Sequence, residues 1–104
     1  MIKENVGNLL KEMLREVDYK EIILFGSRAR GDYSEKSDHD ILIVMKNNLT
    51  IREKMELSSI LRKKLAKEGI DADFIIKSKK EINYYKTKIG NVVREVLKEG
   101  IRLW

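Results

Sequence analysis

The chain has 104 residues, of which 42% are hydrophobic, none is cysteine, and 22 Lys and Arg outnumber 17 Asp and Glu to give a net charge of +5. This length predicts one domain over residues 1–104, and the lack of cysteine excludes a disulfide scaffold or a thiolate metal site. No apolar run approaches the ~20 residues that cross a bilayer. The N-terminal segment also lacks the apolar stretch of a signal peptide, so we expect a cytoplasmic protein with no membrane contact.

The positive charge is compatible with nucleic-acid binding through the release of counterions. However, the lysines are scattered among glutamates along predicted helices, which is typical of a solvated helix face. The aromatic residues, 7% of the chain, are not interleaved with arginines as in a base-stacking surface. We therefore do not expect nucleic acid as the main ligand and interpret the charge as attraction toward a phosphorylated or acidic partner.

The first half of the chain predicts a helix, a strand, a loop and a second strand. Apolar residues at a 3.6-residue period predict a helix over residues 3–17. The short apolar run that ends at Phe25 predicts a buried strand, and the small and charged residues 26–37 predict a loop that could contain one helical turn. Residues 38–45 predict a second strand, polar in its first half and apolar in its second.

The second half predicts two more helices around a third strand. A capping box begins at Thr50, and Gly69 is the expected terminator of the helix that follows. Residues 70–76 predict the third strand, and a second capping box at Ser78 opens a helix that ends at Gly100. The apolar residues expected to be buried on that helix are Ile82, Tyr85, Ile89, Val92 and Val96. The apolar tail over residues 101–104 predicts an edge strand with material for a partner interface.

Candidate phosphate ligands follow the first predicted strand. Gly26 permits a tight turn, and the amides after it can form an anion-binding nest or a short helix N-terminus. Ser27 adds a hydroxyl donor, and Arg28 and Arg30 carry guanidinium groups suited to phosphate. A Gly-Ser pair alone is more often an ordinary turn, so this interpretation depends on the residues that follow.

Two carboxylates lie at the head of the second predicted strand. Asp38 and Asp40 are two residues apart, so their side chains project from one face, about 6–7 Å apart along the backbone. Like charges at this spacing repel each other unless a cation or hydrogen bonds hold them. Mg²⁺ prefers such hard oxygen ligands, usually a couple of carboxylates together with substrate phosphates. The alternative is a strand cap with two solvent-exposed acids.

Two residues compete for the role of a third metal ligand. Asp73 falls within the apolar run Asp-Ala-Asp-Phe-Ile-Ile, where an unpaired buried carboxylate would be costly. A metal ion shared with Asp38 and Asp40 would supply its partner. Asp71 lies on the same face, but a solvated or capping role is expected at the start of the strand. We therefore predict Asp73 as the third ligand.

Taken together, these residues resemble the signature of a known enzyme family. Gly26-Ser27, ten intervening residues and Asp38-His39-Asp40 are similar to the nucleotidyltransferase fold shared with DNA polymerase β. The longer strings Gly-Ser-Arg-Ala-Arg-Gly-Asp and Ser-Asp-His-Asp-Ile-Leu-Ile-Val resemble its smallest branch, the minimal nucleotidyltransferases. The matching positions are Gly26, Ser27, Ala29, Arg30, Gly31, Ser37, Asp38 and Asp40. The strand with Asp73 and the closing Lys-Glu-Gly-Ile-Arg-Leu-Trp also look like the family.

The resemblance implies an α+β fold in which helices flank a small mixed sheet, and it implies a site for ATP and two Mg²⁺ ions. The residues that it assigns to nucleotide binding are Gly26, Ser27 and Arg30, and those that it assigns to catalysis and to the metal ions are Asp38, Asp40 and Asp73. Arg30 would neutralise the leaving pyrophosphate, although an outward-facing or partner-binding arginine is the alternative.

The resemblance also implies a reaction and a partner. Similar proteins transfer a nucleotidyl group to a hydroxyl and release pyrophosphate. Many are encoded beside a small helical HEPN protein, a toxin with ribonuclease character, and act as its antitoxin by adding AMP to a tyrosine. Because residues 1–104 leave little room for a separate acceptor domain, we expect a HEPN-type partner encoded nearby and an assembly with it.

One residue departs from the family pattern, and several alternatives remain. His39 stands where relatives usually have an apolar residue, and strand alternation turns it away from Asp38 and Asp40. We therefore expect a packed or partly exposed histidine rather than a ligand. The alternatives to AMP transfer onto a toxin are an enzyme that acts on a small molecule or an RNA end, a catalytically idle domain that inhibits its partner by binding, and a nucleic-acid binder.

Overall fold

The structure is a computed structural model that describes residues 2–104, and the side chains of residues 6–104. Its elements in chain order are α1 (Ile2–Met13), β1 (Tyr19–Phe25), α2 (Ser27–Arg30), β2 (His39–Met45), α3 (Ile51–Lys67), β3 (Ala72–Ser78), α4 (Lys79–Tyr85), α5 (Val92–Glu99) and β4 (Ile101–Arg102). The predicted α+β class is confirmed. Among the described helices, none is both long and apolar enough to cross a membrane.

The four strands form one mixed sheet in the order β3-β2-β1-β4. β2 runs parallel to β3, whereas β1 runs antiparallel to both β2 and β4. In this register Asp40 lies opposite Phe25 on one neighbouring strand and opposite Asp73 on the other. The end of β1 and the starts of β2 and β3 therefore meet at one end of the sheet.

The two faces of the sheet are covered unequally. α1 and α3 pack on one face, where the fully buried side chains include Leu10, Leu14, Ile22, Leu24, Ile41, Ile43, Leu61 and Leu65. The other face carries a smaller cluster of Ile23, Leu42, Val44 and Val96, with Ile82 of α4 packed against it. Because alternate strand residues share a face, Asp40 lies on the side of Leu42. The carboxylates therefore belong to the less covered face.

Both predicted capping boxes are present, but β3 is shifted along the chain. The Thr50 and Ser78 hydroxyls accept hydrogen bonds from the amides of Glu53 and Glu81, whose carboxylates accept from the capping residues' amides in return. β3 starts at Ala72 rather than at residue 70 because the Ile70 amide still donates to the Leu65 carbonyl, 3.0 Å away, and closes the end of α3. Likewise α1 ends at Met13, before the predicted residue 17.

The prediction of one helix from Ser78 to Gly100 is wrong. α4 ends at Tyr85 and α5 starts at Val92. Gly90 between them adopts a left-handed conformation with φ of 83°, and the Asn91 side chain accepts a hydrogen bond from the Val93 amide to start a new helix. Ile89 and Val92, both expected to be buried, are 89% and 45% exposed, and Val93 is buried instead. Left-handed glycine and an N-capping asparagine outweigh the apolar periodicity here.

Trp104 anchors the end of the described chain to α1. Its indole Nε1 donates a hydrogen bond to the Gly7 carbonyl at 2.6 Å, and the Lys11 ammonium lies 3.8 Å from the ring centroid. β4 pairs with β1 as the predicted edge strand. The aromatic residue that we expected to offer a partner interface is therefore used within the fold, where it packs against the larger core cluster.

We predict that Trp104→Ala destabilises the protein by about 3 kcal/mol, because it removes an aromatic ring from a packed site. Trp104→Phe keeps most of the ring and should cost only about 1 kcal/mol, the typical contribution of one hydrogen bond. Urea denaturation measures both values. Tyr84→Ala, at a tyrosine that is 61% exposed, is the control, and a Trp104→Ala loss no larger than the control loss would contradict this role.

Candidate active site

A tight turn places the Gly26-Ser27 pair directly against Asp40. Gly26 has a φ of 74° and precedes α2, whose Ala29 and Arg30 amides donate to the Gly26 carbonyl at 3.1 Å each. A Cβ atom at position 26 would collide with the Asp40 carboxylate oxygen Oδ2 and would lie only 3.2 Å from its Cγ. Glycine is therefore required twice, for its backbone conformation and for the space that the carboxylate occupies.

The three predicted metal ligands lie on one face and interact electrostatically. Asp40 is half-buried, whereas Asp38 and Asp73 are exposed. Burial raises the pKa of Asp40, and the negative charges of Asp73 and Asp38 raise it further, while Arg30 opposes the shift. The three carboxylates are thus close enough to repel one another, as the two-residue spacing and the strand register lead us to expect.

The expectation that Asp73 is a buried carboxylate is wrong, although the strand register brings Asp73 beside Asp40. We expected a buried carboxylate, but its side chain is exposed because α4 and α5 leave this end of the sheet uncovered. Asp71 is also exposed and precedes β3, and its main-chain carbonyl accepts a hydrogen bond from the His39 amide at 2.9 Å. The assignment of Asp73 therefore depends on its pairing with Asp40 and on the coupling of their charges.

The site holds ligand chemistry suited to Mg²⁺ without a preformed cage. Among residues 6–104, whose side chains the structure describes, no three histidine or carboxylate side chains lie close enough together to hold a metal ion as they are placed. The set nevertheless consists of hard oxygen ligands with unneutralised negative charge, which is what Mg²⁺ prefers. Exposed side chains such as Asp38 and Asp73 change rotamer within nanoseconds, so the donor set fits the ion.

The two arginines of the turn have different surroundings. Arg30 is exposed and forms ion pairs with Asp32 at 3.3 Å and Glu99 at 3.2 Å, and the hydrogen bond that its Nε donates to the Asp32 carboxylate is the main cause of its raised pKa. Arg28 is only 8% exposed, and its guanidinium donates to main-chain carbonyls of the following loop. The hydrogen-bond donors of Arg28 are therefore directed to the loop main chain.

The prediction of a packed His39 is confirmed. It is 2% exposed and lies on the face opposite Asp40. Its Nδ1 lies 3.2 Å from the Asp71 carbonyl oxygen, and its Nε2 is buried with no hydrogen-bond partner among the described residues. Burial lowers the pKa of this imidazole, so the neutral form is favoured. His39 therefore links the start of β2 to Asp71, which directly precedes β3. Its side chain does not point toward the carboxylates.

A cleft of about 480 Å³ opens beside the carboxylates on the β3 side of the sheet. The cleft and the Gly26 turn lie on opposite sides of β2, because the turn adjoins β1 and the cleft adjoins β3. Acidic and basic side chains face each other across it, because α3 runs alongside the start of β3. The residues that line it include Asp38, Asp71, Asp73, Ser59, Arg62 and Lys63. Sequence reasoning did not find the α3 residues, whose spacing resembles an ordinary solvated helix face.

Comparison with known protein families identifies the family to which this chain belongs. The family model described as "Nucleotidyltransferase domain" matches residues 6–103. The chain belongs to the nucleotidyltransferase family. The predicted family membership and the predicted type of enzyme are thus confirmed for this nucleotidyltransferase.

Two relatives from Methanocaldococcus jannaschii carry the provisional name protein adenylyltransferase. One is 36% identical over 101 residues, which cover 97% of this chain and 90% of the relative. The other is 43% identical over 100 residues, which cover 95% of this chain and 90% of the relative. The sequence similarity therefore extends over nearly the whole length of this chain and of each relative.

Two crystal structures share the fold at lower identity. A toxin-antitoxin with AMP-PNP matches with a TM-score of 0.66 and 24% identity, covering 94% of this chain and 72% of that chain. A complex of tri-AMPylated Shewanella oneidensis HEPN toxin with MNT antitoxin matches with a TM-score of 0.61 and 22% identity, covering 97% of this chain and 71% of that chain. At these identities the likeness shows that this nucleotidyltransferase shares their fold.

We predict that Asp40→Asn stabilises the protein at pH 7 when metal ions are removed with EDTA. A carboxyl whose pKa is raised by folding above its ordinary 3.8 destabilises the folded state at all pH values above the raised pKa. The substitution removes this penalty, so the melting temperature should rise by about 1–2 °C. The gain should shrink as pH falls and vanish below pH 3.8, where Asp40 is protonated in both states.

Calorimetric scans between pH 3.5 and pH 8 measure this gain, and Asp71→Asn, at an exposed carboxylate outside the strands, is the matched control. If Asp40→Asn instead lowers the melting temperature at pH 7 by several degrees, Asp40 has a structural role that the proximity of three like charges does not explain.

Proposed function

We propose that the protein is a Mg²⁺-dependent antitoxin that transfers AMP from ATP to a tyrosine hydroxyl of a HEPN-type toxin encoded nearby. The observation that carries this proposal is the contact of the Gly26 turn with Asp40, which joins a phosphate-binding turn to a carboxylate cluster. The names of the Methanocaldococcus jannaschii relatives support protein adenylylation. The fold shared with the Shewanella oneidensis complex supports the HEPN partner.

The residues of the site have distinct roles in this proposal. Asp38, Asp40 and Asp73 would hold Mg²⁺, which when bound neutralises charge on the triphosphate and on the transition state. The Ser27 hydroxyl and the amides of the turn bind phosphate oxygens. Arg30 lies near enough to Asp40 to influence its pKa and neutralises the leaving pyrophosphate. The Asp73 carboxylate accepts the proton of the attacking hydroxyl.

The strand order supports binding of donor and acceptor on opposite sides of the site. The Gly26 turn adjoins β1, while Asp73 and the cleft adjoin β3, two strands away, or about 10 Å at the usual strand spacing. In phosphoryl transfer the attacking and leaving oxygens lie roughly in line. If pyrophosphate leaves on the side of the turn, the acceptor hydroxyl enters from the cleft. An open cleft suits an acceptor that brings its own surface, such as a folded partner protein.

We predict that the protein, incubated with ATP, Mg²⁺ and the small helical protein encoded beside it, adds about 329 Da per AMP to a tyrosine of that partner. Asp38→Asn and Asp40→Asn should each lower the transfer rate by about 10²-fold or more, because they remove oxygen ligands needed in the transition state. Intact-mass and peptide mass spectrometry measure the products and their rates.

Asp73→Asn and Asp71→Asn form the matched pair that tests the third ligand. Both remove one exposed carboxylate beside the same cleft, but only Asp73 is expected to be required for transfer. Loss with Asp71→Asn and retention with Asp73→Asn would reverse the assignment. A partner that stays unmodified, yet is fully inhibited by both the wild type and Asp38→Asn, would show that inhibition by binding alone is the function.

A further inference from the structure

Arg28 is a buried cation held by the loop that leads to the carboxylates. Its Nε donates to the Ser37 carbonyl at 3.0 Å, and its Nη2 lies 3.4 Å from the carbonyls of both Ser34 and Glu35. The Tyr33 ring covers the guanidinium, with its centroid 4.6 Å from Cζ. One side chain thus contacts four of the residues between Gly31 and Asp38.

The surroundings of Arg28 are unusual for a structural arginine. It is only 8% exposed, and it forms no ion pair with any carboxylate among residues 6–104, whose side chains the structure describes. Burying a charge costs several kcal/mol unless hydrogen bonds compensate for lost water, and here carbonyl dipoles and one aromatic face are the compensation. An apolar side chain would fill the same space at less cost. What the arginine adds is a fixed set of donors that orders several carbonyls at once.

The same turn therefore contacts the carboxylate strand at two points. Gly26 packs against the Asp40 carboxylate, and Arg28, two residues later, holds the carbonyl of Ser37, which immediately precedes Asp38. A flexible loop of eight residues, 31–38, would otherwise leave the start of β2 free to shift relative to the turn. Contacts on both sides of Asp38 fix the distance between the phosphate-binding turn and the first carboxylate.

We propose that Arg28 is a positioning residue for the nucleotidyl transfer, which orders the loop of residues 31–38 so that the Asp38 carboxylate is held where it would bind a metal ion together with Asp40. Arg28 touches no reacting atom and acts through the Ser37 carbonyl. The inference rests on the proposed function in taking Asp38 as a metal ligand. The ordering of the loop itself can be measured without any transfer reaction.

The test compares Arg28→Gln and Arg28→Lys with the wild type and with Arg52→Gln. Arg52 is an exposed arginine on α3 whose side chain pairs with Glu56, so Arg52→Gln removes the same charge without disturbing the loop. Three readouts are measured at a temperature where all variants are folded. They are trypsin cleavage after Lys36 in the loop, the affinity for Mn²⁺ by calorimetry, and kcat with the KM for ATP in the partner assay.

Arg28→Gln should speed cleavage after Lys36 and weaken Mn²⁺ binding, each by about fivefold or more. Its kcat should fall by about tenfold or more while the KM for ATP changes less than about twofold, because the misplaced carboxylate impairs the transition state rather than nucleotide binding. Arg28→Lys, which keeps the charge but not the fork of donors, should recover only part of each loss. Arg52→Gln should match the wild type in all three readouts.

The proposal is overturned if Arg28→Gln lowers the melting temperature but leaves loop cleavage and Mn²⁺ affinity at wild-type values, since Arg28 would then only stabilise the fold. A rise in the KM for ATP with unchanged kcat would overturn it as well and make Arg28 a nucleotide ligand. If the wild type transfers no AMP, the proposed function fails, and the cleavage and Mn²⁺ measurements still decide the role of Arg28.

Discussion

The contact between Gly26 and the Asp40 carboxylate is the constraint on which the site depends. A left-handed glycine ends β1 and turns the chain back over β2 so closely that position 26 has no space for a side chain. The contact brings a turn suited to phosphate oxygens against the one half-buried carboxylate of the cluster. Because β3 pairs in parallel with β2, the same carboxylate has Asp73 on its other side. The proposed donor and acceptor regions therefore follow one another along one end of the sheet.

Much of the fold and of the site follows from local sequence rules. Two capping boxes, at Thr50 and Ser78, fix two helix starts because each satisfies amides that have no other partner. The two-residue spacing of Asp38 and Asp40 fixes a shared face in any strand. The buried position of His39 between them follows from the same alternation. These features depend on residues close together in the chain.

Other features depend on tertiary contacts that no short pattern contains. The exposure of Asp73 results from helices that leave one end of the sheet uncovered, whereas an apolar neighbourhood in the sequence predicted burial. Arg28 and Arg30 have the same chemistry two residues apart, and only the loop path decides which one is buried. The break at Gly90 was hidden because the apolar period continues through Ile89, which is exposed.

The most direct test of this account compares Mg²⁺-dependent ATP binding by Gly26→Ala and Gly31→Ala. Both glycines have positive φ, 74° and 88°, but an added Cβ meets Asp40 only at position 26 and meets nothing within 4 Å at position 31. Backbone strain should cost Gly31→Ala about 1 kcal/mol of stability. It should cost Gly26→Ala more, because a φ of 74° with a ψ of −156° lies in a region essentially restricted to glycine, so binding is measured at a temperature where both variants are folded. The account predicts that calorimetry shows a loss of ATP affinity of about tenfold or more for Gly26→Ala alone. Equal affinities for the two variants would contradict it.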